Sequence, residues 1–311
     1  MIAFGPVPSR RLGRSLGINN IPPKVCTYSC VYCQLGRTGT MQLQRGEFYP
    51  PQDVVSSVKG KVDEAGQVGE PIDYLTFVAD GEPALDVNLG RAIEQLKPMG
   101  IKIAVISNAS LIARPDVRHD LAKADWVSLK IDSVHEETWR RINRPHGSLE
   151  LPSILEGAVE FSAEFGGQLA TETMLVQGIN DGAERMEEVA GFLARLRPNV
   201  SYLSIPIRPP AEKWVSLPAE ETINRAWQVL RERVDRVEYL IGYEGDAFAL
   251  TGDVEDDLLS ITSVHPMRED AVREFLASAG ADWAVVRRLL DEERLVETPY
   301  RGQTFYLRSL S

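Results

Sequence analysis

The chain has 311 residues, 43% of them apolar and 25% charged, and its 34 Lys and Arg against 45 Asp and Glu leave a net charge of −11. That balance suits a globular protein of about two domains at roughly 150 residues each, and it excludes wholesale disorder and a uniformly basic nucleic-acid binder. Three cysteines, an odd number, exclude a disulfide framework. No apolar run approaches the roughly 18 residues of a membrane span and residues 1–10 hold no apolar signal core, so the chain is expected in the cytoplasm.

Residues 1–50 carry Arg10, Arg11, Arg14, Lys24, Arg37 and Arg45 against the single acid Glu47, a local charge of +5. On an otherwise acidic chain such a segment reads as a local anion site or as a solvated strip. A first strand is placed near residues 16–19. Further strands are expected at 72–78, 101–106, 126–131, 169–176, 202–207 and 237–241, near-continuous apolar runs of the kind buried on both faces of a parallel sheet. Between them lie amphipathic helices. Leu89, Ile93 and Leu96 share one face, as do Met186, Val189, Ala190, Leu193 and Leu196, and again Ile223, Ala226, Trp227, Leu230 and Val234. This alternation predicts βαβ units and a parallel sheet or barrel. The pattern breaks at 243–253, which reads as a linker. Beyond it come helices at 254–263, 268–279 and 282–292, then strands at 295–300 and 303–307 around Arg301-Gly302, the outline of a winged helix-turn-helix.

The chemistry is concentrated in Cys26-Thr-Tyr-Ser-Cys30-Val-Tyr-Cys33, a C-x3-C-x2-C run in a Gly- and Pro-rich loop. Three thiolates on one loop can bind three irons of a cubane cluster and leave the fourth iron open. A structural zinc site wants a fourth ligand. There is no fourth cysteine, and His119, His135, His146 and His265 are all distant in sequence.

The C-x3-C-x2-C run with Tyr32 before its last cysteine resembles the motif of the radical S-adenosylmethionine (SAM) superfamily. The resemblance extends along most of the chain. Asp80-Gly81-Glu82-Pro83, after the strand at 72–78, looks like the family's Gly-Gly-Glu segment with Asp80 in place of the first glycine. The resemblance implies one [4Fe-4S] cluster on Cys26, Cys30 and Cys33, and SAM contacts at Tyr32, Gly81, Glu82 and Pro83. Gly81 would let the ligand approach the backbone. Ser107 and Asn108 resemble the family's Thr-Asn position. Lys130 and Asp132 fall on one side of their strand, so Lys130 either holds the SAM carboxylate or pairs with Asp132. Glu172 points into the barrel or out to a helix, and Ile205-Pro206 stands where the family supports the adenine. The opening Gly5-Pro6-Val7-Pro8-Ser9-Arg10-Arg11-Leu12-Gly13-Arg14-Ser15-Leu16-Gly17 and the stretch Tyr32-Cys33-Gln34-Leu35-Gly36-Arg37 resemble the group described as similar to wyosine (tRNA) synthases and to the nitrogenase-cofactor protein family.

These residues predict an α/β chain, with a partial (βα)6 TIM-like barrel over residues 1–245 and a small winged helix-turn-helix domain over 251–311. All three cysteines are consumed by one cluster, which argues against members with an auxiliary cluster, and no upstream region has room for a cobalamin domain. The implied reaction is reductive cleavage of SAM to methionine and a 5′-deoxyadenosyl radical, which takes a hydrogen atom from a substrate. An external one-electron reductant of flavodoxin or ferredoxin type supplies the electron. Two substrates are compatible: a peptide or protein held by strand addition at the C-terminal hairpin, which the acidic balance favours, or an RNA base with the basic N-terminal segment on phosphate. The rival from another class is an iron–sulfur DNA-binding sensor. It needs a basic recognition helix, whereas residues 282–297 carry Arg287, Arg288 and Arg294 against Asp282, Asp291, Glu292, Glu293 and Glu297. Specific DNA binding is therefore not expected.

Overall fold

Alternate residues of the central strands pack on opposite faces of one sheet, and both faces are apolar. In the computed structural model, which describes residues 1–241, 253–264 and 266–309, Ile103, Val105, Val127, Leu129 and Leu169 belong to the large core beneath the helices, while Ala104, Trp126, Ala170, Val200 and Tyr202 form a second cluster on the inner face. This is why the strands read as continuous apolar runs.

The chain opens with an antiparallel pair, β1 (Ala3–Ser9) and β2 (Gly13–Ile18). The loop after β2 contains a two-residue parallel ladder, β3 (Val25–Cys26) with β4 (Thr40–Met41), and leads into helix α1 (Pro51–Gln67). Then follow β5 (Tyr74–Phe77), α2 (Leu89–Leu96), β6 (Lys102–Ser107), α3 (Pro115–Leu121), β7 (Trp126–Lys130), α4 (Glu136–Asn143), α5 (Leu151–Glu164), β8 (Gln168–Met174), α6 (Ala183–Leu196), β9 (Val200–Ser204), α7 (Glu220–Arg231) and β10 (Val237–Leu240). The main sheet runs β1-β2-β5-β6-β7-β8-β9-β10, parallel from β2 onward, a curled eight-stranded half-barrel. Against the expected six strand–helix units, seven strands are parallel and β1 is added at the edge. Pro6 and Pro8 hide β1 in the sequence, since proline is a poor strand signal and is tolerated at a sheet edge.

Toward the C-terminal ends of the strands the inner face turns polar. Lys130 lies opposite Glu172 in the β7–β8 register and Met174 opposite Ser204 in β8–β9, so same-parity positions that are apolar lower down become a charged layer at the top.

Residues 253–264 and 266–309 contain α8 (Val254–Val264), β11 (Met267–Arg268), α9 (Glu269–Ser278), α10 (Ala284–Asp291), β12 (Leu295–Tyr300) and β13 (Gln303–Arg308). The expected helices stand within two residues of their observed ends; β11 is too short to have left a pattern. Most of the expected linker, residues 243–252, and His265 lie outside the described residues. A core of its own joins these elements, including Leu258, Met267, Phe275, Val286, Leu289 and Tyr306. The three strands run β11-β13-β12, all antiparallel, with β12 at one edge. Arg301 and Gly302 both have positive φ, 52° and 75°, the two-residue turn that matches hairpin twist. Val7 of β1 packs into this second core, α8 lies against β1, and the Tyr300 hydroxyl donates to the Pro206 carbonyl at 2.7 Å.

Candidate active site

The cysteine loop is held at both ends before any ligand is considered. Lys24, left-handed at φ 60°, donates its N–H to the Asp80 carbonyl at 2.7 Å, and its own carbonyl accepts from Gly39 and Thr40. Val31 N–H donates to the Ile142 carbonyl at 2.9 Å and Ser29 N–H to that of Asn143 at 3.1 Å, which fastens the loop to the end of α4. Cys26, Cys30 and Cys33 are half-buried and line a single cavity of about 330 Å³ above the polar layer of the sheet.

The donor set suits an iron–sulfur cluster. Among the described residues, no three Cys, His, Asp or Glu side chains converge on a point that would hold a single ion. Cubane ligation requires only that each thiolate face a different iron of the cluster. Burial pushes the Cys30 thiol up to about 12 and raises Cys26 and Cys33 as well, so a cationic metal is needed to hold all three as thiolates. Two amides already donate to sulfur: Asn108 Nδ2 to Cys26 Sγ and Asn143 Nδ2 to Cys30 Sγ, each at 3.5 Å.

At the end of β5, Asp80 is buried, and burial pushes its carboxyl up to about 7. Its Oδ2 accepts from Asn19 at 3.3 Å; Oδ1 is buried without a hydrogen-bond partner on the cavity wall. An orphaned carboxylate oxygen there fits a cationic group of a bound ligand. Gly81 also lines the cavity, but a Cβ on it would stand 1.8 Å from the Val25 carbonyl oxygen. The missing side chain thus makes room for the cysteine loop, and the Gly81 backbone remains on the cavity wall. Glu82 and Pro83 are buried outside the cavity wall. The Glu82 carboxylate accepts from Ser107 Oγ at 2.8 Å, Asn108 N at 2.7 Å and Ala84 N at 3.0 Å, bracing the ends of β5 and β6.

Lys130 Nζ donates to Glu172 Oε1 at 2.8 Å and sits 5.0 Å over the Tyr32 ring. Arg11 pairs with the other Glu172 oxygen, and Ser204 Oγ donates to Oε1 at 2.9 Å. Burial alone would raise the Glu172 carboxyl, but the Lys130 and Arg11 cations outweigh it and hold the group well below the usual carboxylate range. Asp132 stands behind this layer, off the cavity wall. It accepts from the Tyr32 hydroxyl, from Asn143 Nδ2 at 2.7 Å and from Met174 N at 2.8 Å. Of the two partners offered to Lys130 by the sequence, Asp132 is thus the wrong one: the ammonium bonds Glu172.

The cavity therefore gathers Tyr32, Gly81, Ser107, Asn108, Lys130, Glu172, Ile205 and Pro206 with the three cysteines, and leaves out Glu82, Pro83 and Asp132. Sequence reasoning missed Asp80 as a wall residue, although its departure from glycine was the available signal. It also missed Arg10, Arg11 and Lys24 individually. The basic N-terminal segment divides: Arg14 pairs with Glu70, Arg37 with Glu212, and Arg45 is buried against Asp116 and Asp120. Arg10, Arg11 and Lys24 face the cavity with Lys130 and Arg208, five cations against the two carboxylates of Asp80 and Glu172.

Residues 20–193 match the radical SAM superfamily, and this chain belongs to it. It is 46% identical over 311 residues to a UPF0026 protein of Methanocaldococcus jannaschii, covering 99% of this chain and 96% of that one. It is 34% identical over 225 residues to a UPF0026 protein of Helicobacter pylori, 71% of each chain. Within the superfamily it is thus a UPF0026 protein. Its fold is similar to that of a radical SAM methyltransferase from Sphaerobacter thermophilus, with a TM-score of 0.56 at 17% identity over 73% of this chain and 66% of that one. It is similar also to TYW1 with a lysine-pyruvate adduct bound, with a TM-score of 0.55 at 18% identity over 72% of this chain and 76% of that one. Members of the superfamily use a [4Fe-4S] cluster and SAM, so this chain is an enzyme of that class. Among the described residues no helix is long and apolar enough to cross a membrane.

Proposed function

We propose that this chain cleaves SAM reductively at a [4Fe-4S] cluster on Cys26, Cys30 and Cys33 and uses the resulting radical to abstract hydrogen from an RNA substrate. The observation that carries the chemistry is the convergence of three cysteines of one loop on a cavity floored by the polar strand ends. When bound, cluster and SAM supply a one-electron bond cleavage that no side chain here can perform. The protein's part is positional. Asn108 and Asn143 donate to sulfur, which disperses negative charge on the thiolates. Asp80 and the Gly81 backbone offer acceptors to an ammonium, and Lys130, held by Glu172, offers a cation to a carboxylate. Ile205 and Pro206 provide an apolar shelf that excludes water. An external flavodoxin- or ferredoxin-type donor is required, consistent with a cytoplasmic enzyme.

The reading divides the chain into a barrel domain at 1–245 and a winged helix-turn-helix at 251–311, whose order of three helices and three strands supports the assignment. Two features favour RNA over a peptide. The cavity carries an excess of cations on a chain of net charge −11. The β12 edge needed for strand addition carries exposed Glu297 and Pro299, residues that block edge pairing.

Anaerobic reconstitution tests the chemistry. The protein should take up about four irons and release 5′-deoxyadenosine from SAM with dithionite, and Cys26→Ala, Cys30→Ala or Cys33→Ala should each abolish release. Stoichiometric zinc with no iron uptake would sink the reading.

A further inference from the structure

The active-site cavity has a neighbour. A second cavity of about 240 Å³ opens between Ile207, in the segment after β9, and the tip of the β12–β13 hairpin. Ile207 walls both cavities, so the two are neighbours across a single side chain. We propose that this second cavity is a phosphate-binding subsite for the backbone of the RNA substrate. The inference rests on the radical SAM reading above and adds to it a site that the cluster chemistry does not require.

Three observations carry it. The first is charge. Residues 251–311 hold twelve acids and seven arginines, yet the cavity is lined by Arg268 and Arg301 with no carboxylate on its wall. Arg268 is steadied from outside by Asp270 at 3.0 Å, an acid whose side chain is 58% exposed. Two arginines on the wall of one cleft suit an anion such as a phosphate, whose oxygens a guanidinium fork can bond.

The second is conformation. Arg301 is exposed at the first turn position with φ 52°, where Asn, Asp or Gly would be at ease and an arginine is strained. The turn's own geometry does not call for an arginine there, and a strained residue on a cavity wall is a pattern found at ligand clamps.

The third is placement. The Tyr300 hydroxyl bond to the Pro206 carbonyl at 2.7 Å fixes the hairpin tip beside Ile205 and Pro206, which wall the first cavity. Arg208, one residue past Ile207, is held by Gln34 at 2.8 Å on the rim of the cysteine loop. Cations therefore continue from the first cavity to the second along the Pro206–Arg208 segment. A flexible polyanion can follow such a track, with one nucleotide's base in the first cavity and a neighbouring phosphate in the second.

The test uses the full chain and reads binding apart from turnover. The affinity for a fluorescent, unstructured single-stranded RNA of a dozen nucleotides is measured by anisotropy across a salt series. The R268Q/R301Q double variant should weaken binding about tenfold and lower the salt slope by one to two, with iron content and uncoupled SAM cleavage unchanged. Arg301→Lys should recover part of the affinity. Arg301→Gly should raise the melting temperature by relieving the turn while still weakening RNA, a pairing of effects that a purely structural arginine would not give. If the same substitutions instead abolish binding of a 5′-mononucleotide while wild-type protein ignores the oligomer, the phosphate subsite stands and its ligand is a free nucleotide. Unchanged RNA affinity in the double variant, or displacement of the RNA by an acidic peptide at equal concentration, overturns the proposal. Absence of SAM cleavage with RNA binding intact would instead count against the radical SAM reading alone.

Discussion

A Cβ at Gly81 would overlap the Val25 carbonyl oxygen at 1.8 Å and approach the Val25 carbonyl carbon at 2.8 Å. Backbone cannot yield as a flexible side chain can, so Gly81→Ala should push Val25 and with it Cys26. The expected outcome is a loss of iron per chain after reconstitution; normal iron with weakened SAM affinity in calorimetry would show that the space at Gly81 serves the ligand and not the loop. Glu82 offers a second test at this scale. Burial outweighs the three hydrogen bonds it accepts and pushes its carboxyl up to about 7, against an ordinary value of 4.5. The folded state therefore binds the proton more tightly than the unfolded chain, and this group's contribution to stability is present at low pH and lost as pH rises through that interval. Glu82→Gln should flatten that part of the stability profile of the iron-free protein, a difference on the order of 3 kcal/mol between pH 4.5 and 7.5. An identical slope in wild type and variant, from denaturant melts, would contradict it.

The elements differ in how well the sequence exposed them. The parallel strands were legible because both faces of the sheet are apolar, and α2, α6 and α7 because each buries one stripe, whereas α1, α3, α4 and α5 were not expected. β1 was hidden by Pro6 and Pro8, and β11 by its two-residue length. The cysteines were legible by spacing alone. Their supports were not: Asn143 reaches Cys30 from the end of α4, and nothing local to Cys30 announces it. Glu82 and Asp132 sit at strand ends that motif reasoning assigns to ligand, but each is turned into the protein by donors from neighbouring elements, and that depends on tertiary packing. Strand parity left Glu172 open between the barrel and a helix, and only the β7–β8 register puts Lys130 opposite it. Removing one member of this buried group leaves its partner short of charge. Lys130→Met should cost about 3 kcal/mol, the low side of the range for a broken buried pair because Arg11 still holds Glu172. The triple variant R11M/K130M/E172L, which leaves none of the three charges without its partner, should recover much of the loss in chemical denaturation; equal or greater loss in the triple variant would show that the charged group is not what the layer depends on.

At the level of the whole molecule, the two cores are separate in composition yet meet along β1. Val7 of β1 packs into the second core and α8 lies against that edge of the half-barrel, while Tyr300 fastens the hairpin to Pro206 on the wall of the active-site cavity. The C-terminal unit thus caps an edge strand and, on the proposal of a phosphate subsite, adds to the substrate path; the two roles separate on truncation. A chain ending at Gly252 keeps all three cysteines, every parallel strand and the Lys130–Glu172 layer, so iron uptake and uncoupled release of 5′-deoxyadenosine should survive. It loses the cover over β1, exposing the Val7 face and a strand edge prone to pairing with other chains. The melting temperature should fall and self-association should rise, and Val7→Thr in the shortened chain should reduce that association. RNA affinity should fall at the same time, because Arg268 and Arg301 are gone. Analytical ultracentrifugation, iron content and anisotropy on the same preparation check the three parts. A shortened chain that is monomeric, fully loaded with iron and undiminished in RNA binding would remove the C-terminal unit from the substrate path.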